Sequence, residues 1–315
     1  MSDSDHGSTR PDGTVLKGGF RSFQTIAPES AAEWDGRKAA LREKLGRLLG
    51  DLPPLFAPDV TMHERLDRED YVLERFSFDN GVGDAVYGSL LVPAGQTEPG
   101  PAILYNHQHA DTYERGKDEI LTRAYPDLDF ATGEALVRQG YVVQCIDAYC
   151  FGQRRHQGPA GDDESGERVE ASLFKTFLWQ GRTLWGMMVR DDVLALSYLT
   201  SRPEVDATRI AAMGMSMGST RAWWLAAMDE RVKVAICIAC LTRYQNLIAH
   251  GSLNAHGIYY YVPGMLREGI DAESVLGLIA PRPLLTLTGD RDEGSPADGV
   301  QLIHAFVKHV YGCYG

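Results

Sequence analysis

The stretch Arg209-Ile-Ala-Ala-Met-Gly-Met-Ser-Met-Gly-Ser-Thr-Arg-Ala-Trp-Trp224 decides how the rest of the chain is read. An apolar run, Ile210 to Met213, leads into Gly214-Met215-Ser216-Met217-Gly218, and a small-residue and then aromatic run follows. This is G-x-S-x-G between a short strand and a helix. A turn that sharp forces the serine into a strained conformation, so its neighbours must be small. Gly214 and Gly218 meet that need, and Ser219 lets helix and strand approach closely. The Ser216 hydroxyl is lifted above the sheet, and the Met217 N–H aims at the same point. A nucleophile and one oxyanion donor are thereby placed together. A Gly-rich strand-to-helix turn without chemistry is the plainer reading of the pentapeptide alone, so the flanks must decide.

The chain alternates apolar strands with helices from Ala102 onward. Ala102–Tyr105, Tyr141–Ile146, Ile210–Met213, Val232–Ile238 and Leu284–Thr288 read as strands. Phe130–Gln139, the run through Trp185, Val189, Val193 and Leu196, Ala272–Ile279 and Pro296–Val310 read as helices. That alternation predicts a mostly parallel sheet covered on both faces. Upstream, residues 1–20 read as a flexible tail and Ala31–Leu49 as a helix ended by Gly50 and Pro53-Pro54. Val60–Pro93 gives three strand-like runs, read as an antiparallel hairpin at a sheet edge. Residues 21–315 form one domain, with the N-terminal helix and hairpin over about 31–93. Two polar or aromatic inserts, 149–172 and 241–267, follow strand C-termini, where open α/β sheets hold ligands. The second carries Tyr259, Tyr260 and Tyr261 with His250 and His256. Both are expected to shape a substrate pocket; the alternative for the tyrosines is an exposed cluster packing a lid.

With 315 residues, 44% of them hydrophobic, the chain is long enough for one large core. A net charge of −12 with no basic run argues against nucleic acid or an anionic membrane as partner. No apolar stretch approaches the about 20 residues of a membrane span. The polar start carries no signal-peptide core, which points to the cytoplasm. Five cysteines make no framework. Cys237 and Cys240 are formally C-x-x-C, but no second pair exists for zinc, so they read as packed thiols.

A serine nucleophile needs a base, and the base an orienting acid, in the chain order Ser, acid, His. Gly289-Asp290-Arg291-Asp292-Glu293 follows the strand Leu284–Thr288 and offers the acid. Taken alone, these could equally be turn acids at the surface.

The chain resembles the serine α/β-hydrolases of the dienelactone hydrolase and acetyl xylan esterase type. The matching stretches are Gly181-Arg182-Thr183-Leu184, Arg202-Pro203-Glu204-Val205-Asp206, Gly214-Met215-Ser216-Met217-Gly218, and Ala280-Pro281-Arg282-Pro283 leading into Gly289-x-x-Asp292, within about residues 85–311. The resemblance implies the α/β-hydrolase fold with an eight-stranded sheet, Ser216 as nucleophile and Asp292 as triad acid. Dienelactone hydrolases proper carry Cys at the nucleophile position, so Ser216 implies ester rather than lactone substrates. It further implies a second oxyanion donor from the loop Asn106-His107-Gln108-His109-Ala110: the backbone N–H of His109, or else of Gln108. Family members usually have His-Gly where this chain has His107-Gln108. The two histidines lack an evident third ligand for a metal. Lys117 and Glu119 read as solvated charges.

The family's base follows one more strand. Here one helix follows Asp292, and its His304 and His309 flank an apolar face rather than a strand mouth. The expectation is that the last strand and the triad histidine are missing, as from a truncated chain. The reading is a cytoplasmic carboxylic-ester hydrolase for small acyl esters, without cofactor or metal. A peptidase or amidase of the same fold, or a non-catalytic binding protein lacking the base, are the alternatives; the oligomeric state is open.

Overall fold

The computed structural model describes residues 9–123 and 129–315. β1 (Thr9–Val15) and β2 (Arg21–Thr25) pair antiparallel as a separate two-stranded sheet. The tail expected over 1–20 is therefore a strand from Thr9 on; residues 1–8 lie outside the described part. What holds this polar hairpin is distant in sequence. Phe23 is buried, its N–H donates to Gln245 Oε1 (2.8 Å), and its carbonyl accepts from Arg243 Nη2 (2.6 Å).

α1 (Ala31–Leu49) begins at Ser30, whose hydroxyl accepts the Glu33 N–H. It buries Trp34, Leu45 and Leu49 and stops at Gly50, φ 104°, where a Cβ would meet the Gly181 carbonyl oxygen at 2.4 Å. β3 (Val60–Asp67), β4 (Tyr71–Asp79) and β5 (Ala85–Pro93) are all antiparallel. The expected antiparallel runs do lie at a sheet edge, as three strands with β3 outermost, and β5 goes on to pair with a central strand.

The alternating part comprises β6 (Gly100–Asn106), α2 (Thr132–Arg138), β7 (Val142–Ile146), α3 (Glu167–Trp179), α4 (Leu184–Ser201), β8 (Val205–Met215), α5 (Met217–Met228), β9 (Val234–Ile238), α6 (Tyr244–Ala249), α7 (Ala272–Gly277), β10 (Leu284–Leu287) and α8 (Ala297–Gly312). The main sheet has eight strands in the order β10-β9-β8-β6-β7-β5-β4-β3, with the run from β7 to β10 parallel. The expected count of eight is thus reached with β3 at one edge, while β10 forms the other.

Period-two alternation sorts the strand side chains onto two faces. Ala102 and Leu104 of β6 join Ile210 and Ala212 of β8 in the large core with α4 and α5. Ile103 and Tyr105 join Val143 and Cys145 in a smaller core with Val137 of α2. Leu285 and Leu287 of β10 are about half exposed (49% and 50%), so the smaller core does not reach that edge. Among the described residues no helix is long and apolar enough to cross a membrane.

Candidate active site

Parallel register brings four strand ends to one edge. Asn106 of β6 is level with Gly214 of β8, and Ile238 of β9 with Met215 of β8 and Leu287 of β10.

Ser216 joins β8 to α5 with φ 55° and ψ −121°, a conformation that L-residues rarely hold. Its N–H donates to the Ile238 carbonyl (2.8 Å), which pins the turn to β9. The glycines are there because nothing larger fits. A Cβ on Gly214 would lie 2.4 Å from Gly218 backbone atoms, and one on Gly218 1.9 Å from the Asn106 oxygen. The same contact seats the loop after β6 against the turn. Met217 opens α5, so its N–H has no carbonyl four residues back and is free to face a ligand. α5 is locked in turn by Arg221, whose Nε and Nη2 reach the Asp192 carboxylate of α4 at 3.0 and 2.5 Å, both residues buried.

The loop after β6 places His107 and His109 on different partners. His107 is fully buried; its Nε2 accepts the Ala148 N–H (3.0 Å), so Nδ1 carries the hydrogen and donates to the Gln108 carbonyl (2.9 Å). Burial, with Arg221 nearby, holds its pKa well below 6.5. His109 donates from Nε2 to Glu170 Oε1 (2.7 Å), accepts the Asp111 N–H at Nδ1 (3.1 Å) and stacks on Tyr259. The Gln108 N–H points at Glu119 Oε2 (3.2 Å), which disfavours it as the second oxyanion donor relative to His109.

Lys117 and Glu119 are not solvated, contrary to the sequence reading. Lys117 is 2% exposed and pairs with Asp147 (Nζ to Oδ2 3.1 Å) at the end of β7. Glu119 is 1% exposed and accepts the Tyr105 hydroxyl (2.7 Å), and burial raises its pKa. Asp147, the partner of Lys117, also accepts the Gln153 N–H of the first insert (3.0 Å). Within that insert Arg154 is buried between Asp191 (2.9 Å) and the face of Tyr149, 3.7 Å from the ring centre.

Beyond β9 the chain takes two left-handed residues, Ala239 and Cys240. Cys237 is a buried core thiol, but Cys240 stands in the site, its Sγ 3.6 Å from Ser216 Oγ. Burial raises the pKa of Cys240, which keeps it a neutral thiol. The Tyr260 hydroxyl points at its sulfur from 3.9 Å. Tyr259 and Tyr260 are buried and tilted together at 4.4 Å, so they wall the site rather than form an exposed cluster.

Asp292 lies in the turn after β10, half-buried, with Oδ1 accepting the Gly294 N–H (2.9 Å). Asp290 and Glu293 are exposed. His304 is beside Thr286 (3.2 Å) and His309 beside the Pro28 carbonyl (2.8 Å), and neither approaches Ser216. Among the described residues no histidine is hydrogen-bonded to Ser216. The histidine that touches this turn is His256, buried in the second insert, with Nε2 2.7 Å from the Gly294 carbonyl oxygen. Sequence reading had noted it only as a member of that insert; its partner Gly294 lies 38 residues on.

A family model described as the dienelactone hydrolase family matches residues 127–310. A Bacillus subtilis (strain 168) protein that bears the name hydrolase YtaP is 36% identical over 278 residues, 88% of this chain and 89% of that protein. Among solved structures, a Bacteroides fragilis NCTC 9343 protein described as an acetyl xylan esterase superposes with TM-score 0.69 at 20% identity, covering 89% of this chain and 74% of that one. A glucuronoyl esterase from Solibacter usitatus gives TM-score 0.64 at 16% identity over 96% of this chain and 84% of the other.

Proposed function

Because the chain belongs to the dienelactone hydrolase family, we propose that it is a carboxylic-ester hydrolase of small acyl esters, acetyl esters among them, working through an acyl-enzyme on Ser216. The observation that carries this reading is the backbone at Ser216: a non-glycine residue at φ 55°, wedged between glycines whose Cβ positions are filled, where strand becomes helix. Strain of that kind persists where the surrounding structure enforces it, and here it sets the Ser216 hydroxyl at the first turn of α5.

In this mechanism Ser216 Oγ attacks the ester carbonyl. The backbone N–H groups of Met217 and His109 receive the oxyanion. A histidine oriented by Asp292, which none of the described histidines supplies at Ser216, takes the serine proton and returns it to the leaving alcohol, and water then releases the acid. Oδ1 of Asp292 is held by the Gly294 N–H, which leaves Oδ2 for that histidine. A cytoplasmic setting is part of the proposal and rests on five free cysteines, one of which, Cys240, stands beside Ser216.

The test is hydrolysis of p-nitrophenyl acetate by Ser216→Ala. Where the base is in place, loss of a serine nucleophile costs about 10⁶ in kcat, so turnover should vanish while the thermal unfolding midpoint holds. Parent-rate turnover would refute the assignment. One observation favours a second reading, a non-catalytic binding protein: the polar neighbour of Ser216 Oγ is the Cys240 thiol and not an imidazole. Ester turnover that depends on Ser216 excludes it.

A further inference from the structure

We infer that His256 is a positioning residue: together with Thr242 it clamps the turn that carries Asp292 to the second insert, and so sets the acid's place in the reaction. The inference rests on the serine-esterase reading above.

The turn needs such a clamp. Of its residues, Gly289, Asp290, Arg291 and Glu293 are exposed, and the contacts Asp292 Oδ1 to Gly294 N–H (2.9 Å) and Ser295 N–H to the Asp292 carbonyl (3.0 Å) are internal to it. Among the described residues, the hydrogen bonds that reach 289–295 from elsewhere come from Thr242 and His256. The Thr242 hydroxyl is 2.6 Å from the Gly294 carbonyl oxygen and 3.2 Å from Ser295 Oγ. His256 Nε2 is 2.7 Å from the same carbonyl oxygen. A carbonyl only accepts, so both groups donate to it, and Nε2 carries the hydrogen of the neutral ring.

The donors are themselves fixed. Thr242 is 3% exposed and His256 9% exposed, and they touch each other at 3.2 Å. The His256 ring packs on Tyr260 at 4.8 Å, and Tyr260 points its hydroxyl at Cys240, which touches Ser216 Oγ. The clamp therefore ties the acid's turn to the same wall that borders the nucleophile. It is tight: a Cβ on Gly294 would be 3.2 Å from Asp292 Oδ1 and 3.3 Å from His256 Nε2. The other ring nitrogen, Nδ1, is buried and without a hydrogen-bond partner among the described residues. The ring is held at this spot through Nε2, by Gly294 and Thr242, and by packing.

A displaced acid should cost turnover rather than binding, because it acts on the base and not on the substrate. The experiment measures kcat and KM for p-nitrophenyl acetate in the parent, His256→Leu, His256→Gln and Thr242→Val, with thermal unfolding midpoints alongside and Ser216→Ala as reference. Leucine fills the ring's space without a donor; glutamine restores an N–H donor. A misplacement of about 1 Å can cost on the order of 10²-fold, and we expect a loss of that size in kcat for His256→Leu with KM unchanged. Glutamine should recover most of it. Thr242→Val, which removes one of two donors, should show a smaller loss of the same kind and covers the case in which His256→Leu does not fold. Parent-like kcat in His256→Leu or in Thr242→Val, beside an inactive Ser216→Ala, overturns the clamp and leaves the esterase reading intact. A His256→Gln as dead as His256→Leu also overturns it, since His256 would then act through its own proton. Turnover in Ser216→Ala would instead refute the reading beneath.

Discussion

Gly218 and the carbonyl of Asn106 are in such close approach that a Cβ on the glycine would stand 1.9 Å from the oxygen. One contact thus joins the first turn of α5 to the loop expected to supply the second oxyanion donor. Gly218→Ala must push these two segments apart. The expected outcome is loss of esterase activity with a lowered unfolding midpoint, whereas Gly36→Ala, where a Cβ meets nothing within 4 Å, should be tolerated. Equal behaviour of the two variants would show that the tight junction does not exist.

Two carboxylates three residues or fewer beyond Gly289 compete for the role of triad acid. Asp290 is exposed, while Asp292 is half-buried and held by the Gly294 N–H. Asparagine at the acid position favours the wrong histidine tautomer, a loss on the order of 10⁴ in kcat. Asp292→Asn should show a loss of that order and Asp290→Asn almost none. The ratio of the two kcat values decides, and a larger effect at Asp290 contradicts the assignment.

His107 gives the fold a pH dependence of known sign. Burial first, and then the Arg221 charge, holds its folded pKa well below the ordinary 6.5. Between the two values the unfolded chain binds the extra proton, so stability rises with pH there. The contribution is fully present above 6.5 and is lost as pH falls through the folded pKa. Protonation would also remove the acceptor that Nε2 offers to Ala148. The unfolding midpoint should therefore fall on acidification from pH 6.5, and less steeply in His107→Asn. An identical slope in the two proteins would count against it.

Local signals carried much of this molecule. α1 starts and ends where Ser30 and Gly50 mark it, β8 runs into α5 at the expected serine, and the strand–helix alternation gives the central sheet. What escaped depends on partners far away in sequence. Lys117 and Glu119 look solvated until Asp147 and Tyr105 are folded over them. β1 looks like a tail because the residues that hold Phe23, in the strand it pairs with, come more than two hundred positions later. Cys240 seemed a core thiol because its strand is apolar; only the left-handed turn at Ala239 and Cys240 brings it to Ser216. His256 carried no motif of its own.

The most direct test of the central claim is covalent. A fluorophosphonate probe reacts with an activated serine hydroxyl, and peptide mass spectrometry locates the adduct. The account predicts one adduct, on the peptide bearing Ser216, absent from Ser216→Ala and suppressed by prior incubation with an ester substrate. An unlabelled protein that still hydrolyses esters, or an adduct that persists in Ser216→Ala, would contradict it.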